Sequence, residues 1–173
     1  IAIIPARIGS KGLKLKNLKK LNSKPLIYWP FKTLKNSKFV DRIILNTDSN
    51  KIKNLGVKMG VEVPFLRPKH LASDNTKIAD VIIHTLKYFE RKNIFYDYIL
   101  LLEPTSPLTS SSDINNAIKT LDKNNNKADA LVSVAENVSN HPKFSVKLDK
   151  NQFIKSLDKS FFDGPRQKID KVF

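Results

Sequence analysis

Five apolar runs alternate along the chain with four segments of helical period, and this alternation limits the fold more than any other feature. The runs are 1–5 (IAIIP), 42–47 (RIILNT), 61–66 (VEVPFL), 97–102 (DYILLL) and 129–135 (DALVSVA). Several are apolar without a break, as expected of strands covered on both faces. Between them, 76–90 repeats Ile78, Ile82, Leu86 and Phe89 at helical spacing behind candidate caps Asp74, Asn75 and Thr76. Residues 111–122 do the same with Ile114, Ala117, Ile118 and Leu121 behind a serine-rich start, and 50–59 carries Ile52, Leu55 and Met59. The fourth segment, 25–36, holds Pro30, which is expected to kink or split a helix. Strand and helix in alternation predict an α/β fold, a mostly parallel sheet with helices on both faces.

Residues 136–168 break the pattern. Weak alternation around Asp149-Lys150-Asn151 predicts a turn there, within a hairpin or small β excursion. The chain of 173 residues is long enough for one domain with a full core. It begins without Met and stops at KIDKVF, so the expectation is a single domain over 1–173 that is incomplete at its C-terminal side.

Composition removes some function classes. No apolar stretch approaches the roughly 18 residues of a membrane span and no secretory segment opens the chain, so no membrane partner is expected. The absence of cysteine excludes disulfides, thiolate metal sites and Cys nucleophiles, and fits a cytoplasmic chain. A formal charge of +15 raises nucleic acid as a partner. The lysines are instead spread along the chain beside many asparagines, with no basic tail and no basic–aromatic interleaving. Compositional bias covers the charge, and no nucleic-acid partner is expected.

In parallel α/β sheets ligands bind beyond the carboxyl ends of the strands. Three polar loops fall at that rim: the opening loop, NTDS (46–49) and LLEPTSP (101–107). The opening loop reads R-x-G-S-K-G and then K-N, which is neither G-x-x-x-x-G-K-[ST] nor G-x-G-x-x-G. Gly9 and Gly12 let backbone N–H groups turn inward around an anion, while Arg7, Lys11 and Lys16 add cationic donors. A triphosphate suits such a loop; a glycine turn carrying solvated lysines fits the same residues. Asp48 closes the second run, where it can cap the following helix or touch a metal, the cap being the expectation.

The residues in order add a resemblance. IAIIPARIGSKGLKLKNLKKLNSKPLIYW (1–29), FVDRIILNTD (39–48), VPFLRPKHLASD (63–74), LLEPTSPL (101–108), SNHPKF (139–144) and GPRQ (164–167) resemble, in this order, the motifs of the CMP-sialic acid synthetases, the acylneuraminate cytidylyltransferases. The resemblance covers essentially the whole chain. It implies a Rossmann-like nucleotidyltransferase sheet and a transferase that couples CTP to a nine-carbon sugar acid with Mg²⁺, releasing pyrophosphate.

Residue by residue, it places Arg7, Gly9, Ser10, Lys11 and Lys16 on the CTP phosphates, with Arg7, Lys11 and Lys16 as the catalytic cations. Asn17, Arg67 and Thr76 fall where the family holds ribose and cytosine. Glu103, Thr105, Lys143 and Arg166 fall where it holds the sugar acid. The excursion 136–168 corresponds to the segment through which members dimerise, so a homodimer is implied. The family's metal-holding aspartates correspond to positions beyond Phe173, which leaves Asp48 or Glu103 as candidate ligands here.

Two departures stand out. Glu103 replaces the usual Gln and Thr109 the usual Arg. An acidic Glu103 beside an anionic sugar suggests either a magnesium contact or a changed sugar. Legionaminic, pseudaminic and 3-deoxy-manno-octulosonic acids therefore stay open as substrates beside sialic acid. A truncated homologue that binds CTP without turnover stays open too, as does a basic domain that binds RNA.

Overall fold

The computed structural model describes residues 1–10, 12–134 and 146–156. The chain divides into two compact units, Ile1–Leu131 and Val132–Phe173. In the first unit the elements run β1 (Ala2–Pro5), β2 (Lys20–Leu21), β3 (Lys24–Pro25), α1 (Tyr28–Lys35), β4 (Ile43–Asn46), α2 (Asn50–Lys58), α3 (Ile78–Glu90), β5 (Leu100–Leu101) and α4 (Ser111–Lys123).

β1 lies at the centre of a parallel sheet ordered β4–β1–β5. Its register pairs Ala2 with Ile43 through Pro5 with Asn46 on one edge, and Ala2 and Ile3 with Leu100 and Leu101 on the other. The predicted strand at 61–66 reduces to two parallel bridges, Ile44 with Glu62 and Thr47 with Leu66, because Pro64 between them has no N–H to give a ladder. Successive strands therefore step outward from β1 to one side, and the chain then returns to β5 on the other. That reversal is a topological switch point, where open α/β sheets bind ligands.

Alternation along β1 assigns the two faces. Ala2, Ile4 and Ala6 join Leu45 in a core filled by Phe31 and Leu34 of α1, Ile52 of α2 and Ile114 of α4. Ile1 and Ile44 turn the other way and pack with Phe89 of α3. Helices cover both faces, as the alternation predicts. Each buried Leu, Ile or Phe adds about 1.5–3 kcal/mol.

Local chemistry sets the ends. Pro30 does not split α1; it sits in the first turn, where an N–H has no helical partner, and the helix begins at Tyr28. Ser110 and Asp113 form a reciprocal capping box on α4. None of Asp74, Asn75 or Thr76 caps α3; Lys77 stands at the N-cap position and makes no side-chain capping bond. Asn22 and Ser23 both adopt positive φ in the two-residue turn joining β2 to β3, as such hairpins require. Residues 129–134 form no strand, and Leu131, Val132 and Val134 are exposed.

In the second unit β6 (Val146–Leu148) and β7 (Ile154–Ser156) form the predicted hairpin. Its turn is held by Asp149, whose Oδ1 accepts from the N–H groups of Asn151 at 2.9 Å and Phe153 at 3.0 Å.

Candidate functional site

A pocket of about 240 Å³ opens at the switch point. Its walls come from the loop after β1, the stretch from Arg67 into the first turn of α3, and the loop after β5. Arg7, Gly9, Ser10, Lys16, Asn17, Arg67 and Thr76 share this wall with Glu103 and Thr105. Three separated sequence motifs thus meet in one concavity. Lys11, Lys143 and Arg166 lie outside the described residues.

The loop after β1 is held from three sides before any ligand arrives. The Ile8 N–H donates to Asp48 Oδ1 at 2.8 Å. Asn17 Nδ2 donates to the Arg7 carbonyl at 2.9 Å, and the Arg7 guanidinium pairs with Asp74 at 2.6 Å. Leu15 adopts φ 56°, a left-handed conformation that costs a side-chain-bearing residue about 1–2 kcal/mol. The strained residue starts the short 3-10 turn Lys16–Leu18 that brings Lys16 and Asn17 into the wall.

This geometry corrects the expectation for Asp48. The N-cap of α2 is Ser49, whose hydroxyl accepts from the Ile52 N–H at 3.4 Å, and Asp48 braces the loop instead. Among the described residues no group of three or more His, Cys, Asp or Glu side chains could hold a metal. The pocket carboxylates are Asp74, paired with Arg7, and Glu103, whose Oε2 accepts from Thr105 Oγ1 at 3.1 Å. These residues do not by themselves make a magnesium site.

Arg67 is the buried cation of the wall, 6% exposed. Its Nε donates to Asn46 Oδ1 at 2.6 Å and its Nη2 to the Asn46 carbonyl at 2.7 Å. Burial, opposed by Asp48 and reinforced by Arg7, lowers its pKa to about 10, which leaves it charged at neutral pH. With Arg7 and Lys16, the described wall carries three cations against two carboxylates. Thr76 Oγ1 is tied to the His70 carbonyl at 3.2 Å and to the Ser73 hydroxyl at 2.8 Å.

Sequence reading missed Asp74, Ile78 and Val81 as wall residues. Asp74 closes a quoted motif, and that was its available signal. Ile78 and Val81 belong to a helical stripe whose period marks a face without saying that its first turn borders a cavity.

The sequence profile of the cytidylyltransferase family matches residues 1–163. The chain belongs to the cytidylyltransferase family. Among its relatives is the CMP-N,N'-diacetyllegionaminic acid synthase of Legionella pneumophila, 38% identical over 69% of this chain and 51% of that protein. Another is the N-acylneuraminate cytidylyltransferase of Escherichia coli, 36% identical over 99% of this chain and 38% of that protein. The chain therefore spans about half the length of the first cytidylyltransferase and less of the second. A solved CMP:2-keto-3-deoxy-manno-octonic acid synthetase, complexed with CTP, superposes with a TM-score of 0.61 at 18% identity, over 72% of this chain and 48% of that one. At that identity the match supports the cytidylyltransferase fold alone.

Proposed function

We propose that the chain carries the CTP site of a cytidylyltransferase that activates a nonulosonic, sialic-type sugar acid. The carrying observation is the convergence of Arg7, Ser10, Lys16, Asn17, Arg67 and Thr76 with Glu103 and Thr105 around one pocket at the switch point. In the proposed reaction the anomeric hydroxyl oxygen of the sugar bonds to the α-phosphorus and gives up its proton to solvent. The bond from the α-phosphorus to the bridging oxygen breaks, and pyrophosphate leaves.

Such a transfer asks the protein mainly for positioning and charge neutralisation. Arg7 and Lys16 bring cations to the triphosphate. The turned backbone around Gly9 and Ser10 supplies N–H donors. Arg67, immobile and buried, suits the nucleoside half, where orientation matters more than charge. Glu103 and Thr105 border the space left for the sugar.

Mg²⁺ belongs to this reading as the ion the family resemblance implies. Lys143 and Arg166 are proposed for the sugar carboxylate, and a homodimer through 136–168 is proposed with them. No helix of the described residues is long and apolar enough to cross a membrane; a cytoplasmic location is part of the proposal.

The test follows pyrophosphate release with CTP, Mg²⁺ and a panel of sialic, legionaminic, pseudaminic and 3-deoxy-manno-octulosonic acids. Release that requires CTP and one nonulosonic acid supports the reading and names the substrate. CTP binding without release for any sugar contradicts catalysis by this chain. Tight, steeply salt-dependent RNA binding with no preference for CTP contradicts the nucleotide site.

A further inference from the structure

Behind the pocket wall stands a buried polar chain that no proposed ligand touches. Asn46 and Thr85 are both 0% exposed and neither lines the pocket. Asn46 receives Arg67 twice, through its side-chain oxygen at 2.6 Å and its backbone carbonyl at 2.7 Å. Two acceptors on one residue fix the plane of the guanidinium as well as its position. A buried guanidinium without such partners would carry a large desolvation cost.

An asparagine amide can present either end, and only its oxygen end can accept from Arg67. Arg67, a donor only, calls for the oxygen end, and Thr85 holds the opposite end in place. Its hydroxyl donates to the Val81 carbonyl at 3.0 Å, so towards Asn46 it can only accept. It does so from Asn46 Nδ2 at 2.7 Å. The NH₂ end is thereby drawn to Thr85 and the oxygen end is left for Arg67.

We infer that Thr85 is a positioning residue: acting through Asn46, it fixes the plane in which Arg67 presents its remaining N–H groups to the nucleoside of the bound nucleotide. The inference rests on the reading of the pocket as a CTP site. It adds a specificity element from α3, reached through Asn46, whose carbonyl also accepts from the Ala6 N–H at 2.9 Å at the start of the anion loop.

Thr85→Val keeps the shape and removes the hydroxyl, and Thr85→Ser keeps the hydroxyl. The first readout needs no nucleotide: solvent exchange of the Arg67 Nε–H, followed by NMR and assigned by its loss in Arg67→Lys. Thr85→Val is expected to speed this exchange about tenfold, and Thr85→Ser to leave it within about twofold. The second readout is calorimetric affinity. Thr85→Val is expected to bind CTP about tenfold more weakly and pyrophosphate as the wild type does, whereas a general structural defect would weaken both. Unchanged Nε–H exchange in Thr85→Val, or faster exchange with CTP affinity unchanged, overturns the inference. A wild-type chain that does not bind CTP, with the exchange behaving as described, overturns the functional reading instead.

Discussion

The Arg7 guanidinium and the Asp74 carboxylate meet at 2.6 Å, and both line the pocket. Arg7, the cation proposed for the phosphates, is thus already paired with a carboxylate. On the proposed reading, an incoming triphosphate has to take over from a carboxylate that also repels it. Asp74→Asn removes the competitor and the repulsion together. We expect it to bind CTP about threefold more tightly, with affinity for cytidine, which has no phosphate, unchanged. Calorimetry on both ligands checks this, and weaker CTP binding by the variant would show that the pair orients Arg7 rather than competing for it.

The Asp48 brace is a second expectation. Asp48→Ala leaves the Ile8 N–H without its side-chain partner, and a hydrogen bond to a charged acceptor is worth about 1.5–3 kcal/mol. The loop should loosen, with CTP affinity falling about tenfold. Asp48→Asn retains an acceptor oxygen in the same place and should restore most of the loss. Nucleotide titration of the three proteins separates a loop brace from a residue of no consequence.

Most of this site was legible as chemistry before it was legible as geometry. Arg7, Gly9 and Lys16 read as an anion loop because glycines and cations cluster directly after an apolar run, whereas Asn17 comes from the family resemblance alone. Their meeting with Arg67 and Thr105 follows from the parallel sheet, which collects strand ends on one rim. What stayed hidden depends on pairings between distant elements. Nothing local in NTDS says that Asp48 braces Ile8 or that Asn46 brackets Arg67. The capping of α2 went to Ser49 because its neighbour was engaged across the sheet. In the fold, the apolar runs marked β1 and β4 correctly, whereas 129–134, also largely apolar, forms no strand. An apolar run becomes a strand only when a neighbour offers it a ladder.

Packing between α2 and β4 gives a stability test away from the site. A Cβ on Gly56 would run into the Leu45 side chain, which is 2% exposed and has little room to turn. Helix propensity favours replacing a glycine, but overpacking opposes it and is the larger effect for a branched side chain. Gly56→Val is expected to cost about 2 kcal/mol. Urea unfolding should record a lower midpoint with an unchanged slope.

His84 gives the pH expectation. Its Nδ1 is buried without a hydrogen-bond partner, and its ring lies edge-on to Phe65 at 4.8 Å. Burial lowers its pKa below the ordinary 6.5, and His70, Arg91 and Arg67 push the same way. Below about pH 6.5 the unfolded chain therefore takes up a proton that the folded chain refuses, and stability falls with pH until the folded His84 also protonates. Unfolding free energies from about pH 7.5 to about pH 5.5 should decline more steeply for the wild type than for His84→Leu. Parallel profiles would mean that the ring is not desolvated.

The most direct measurement is calorimetric titration of CTP, UTP, ATP and pyrophosphate into the wild-type chain and into folded Arg7→Ala and Arg67→Lys variants. We expect CTP to bind most tightly to the wild type. Arg7→Ala should weaken all three triphosphates and pyrophosphate together, while Arg67→Lys should weaken CTP and leave pyrophosphate unchanged. Equal affinity for every nucleotide, or CTP binding untouched by both substitutions, would contradict a cytidine nucleotide held between the β1 loop and the buried arginine.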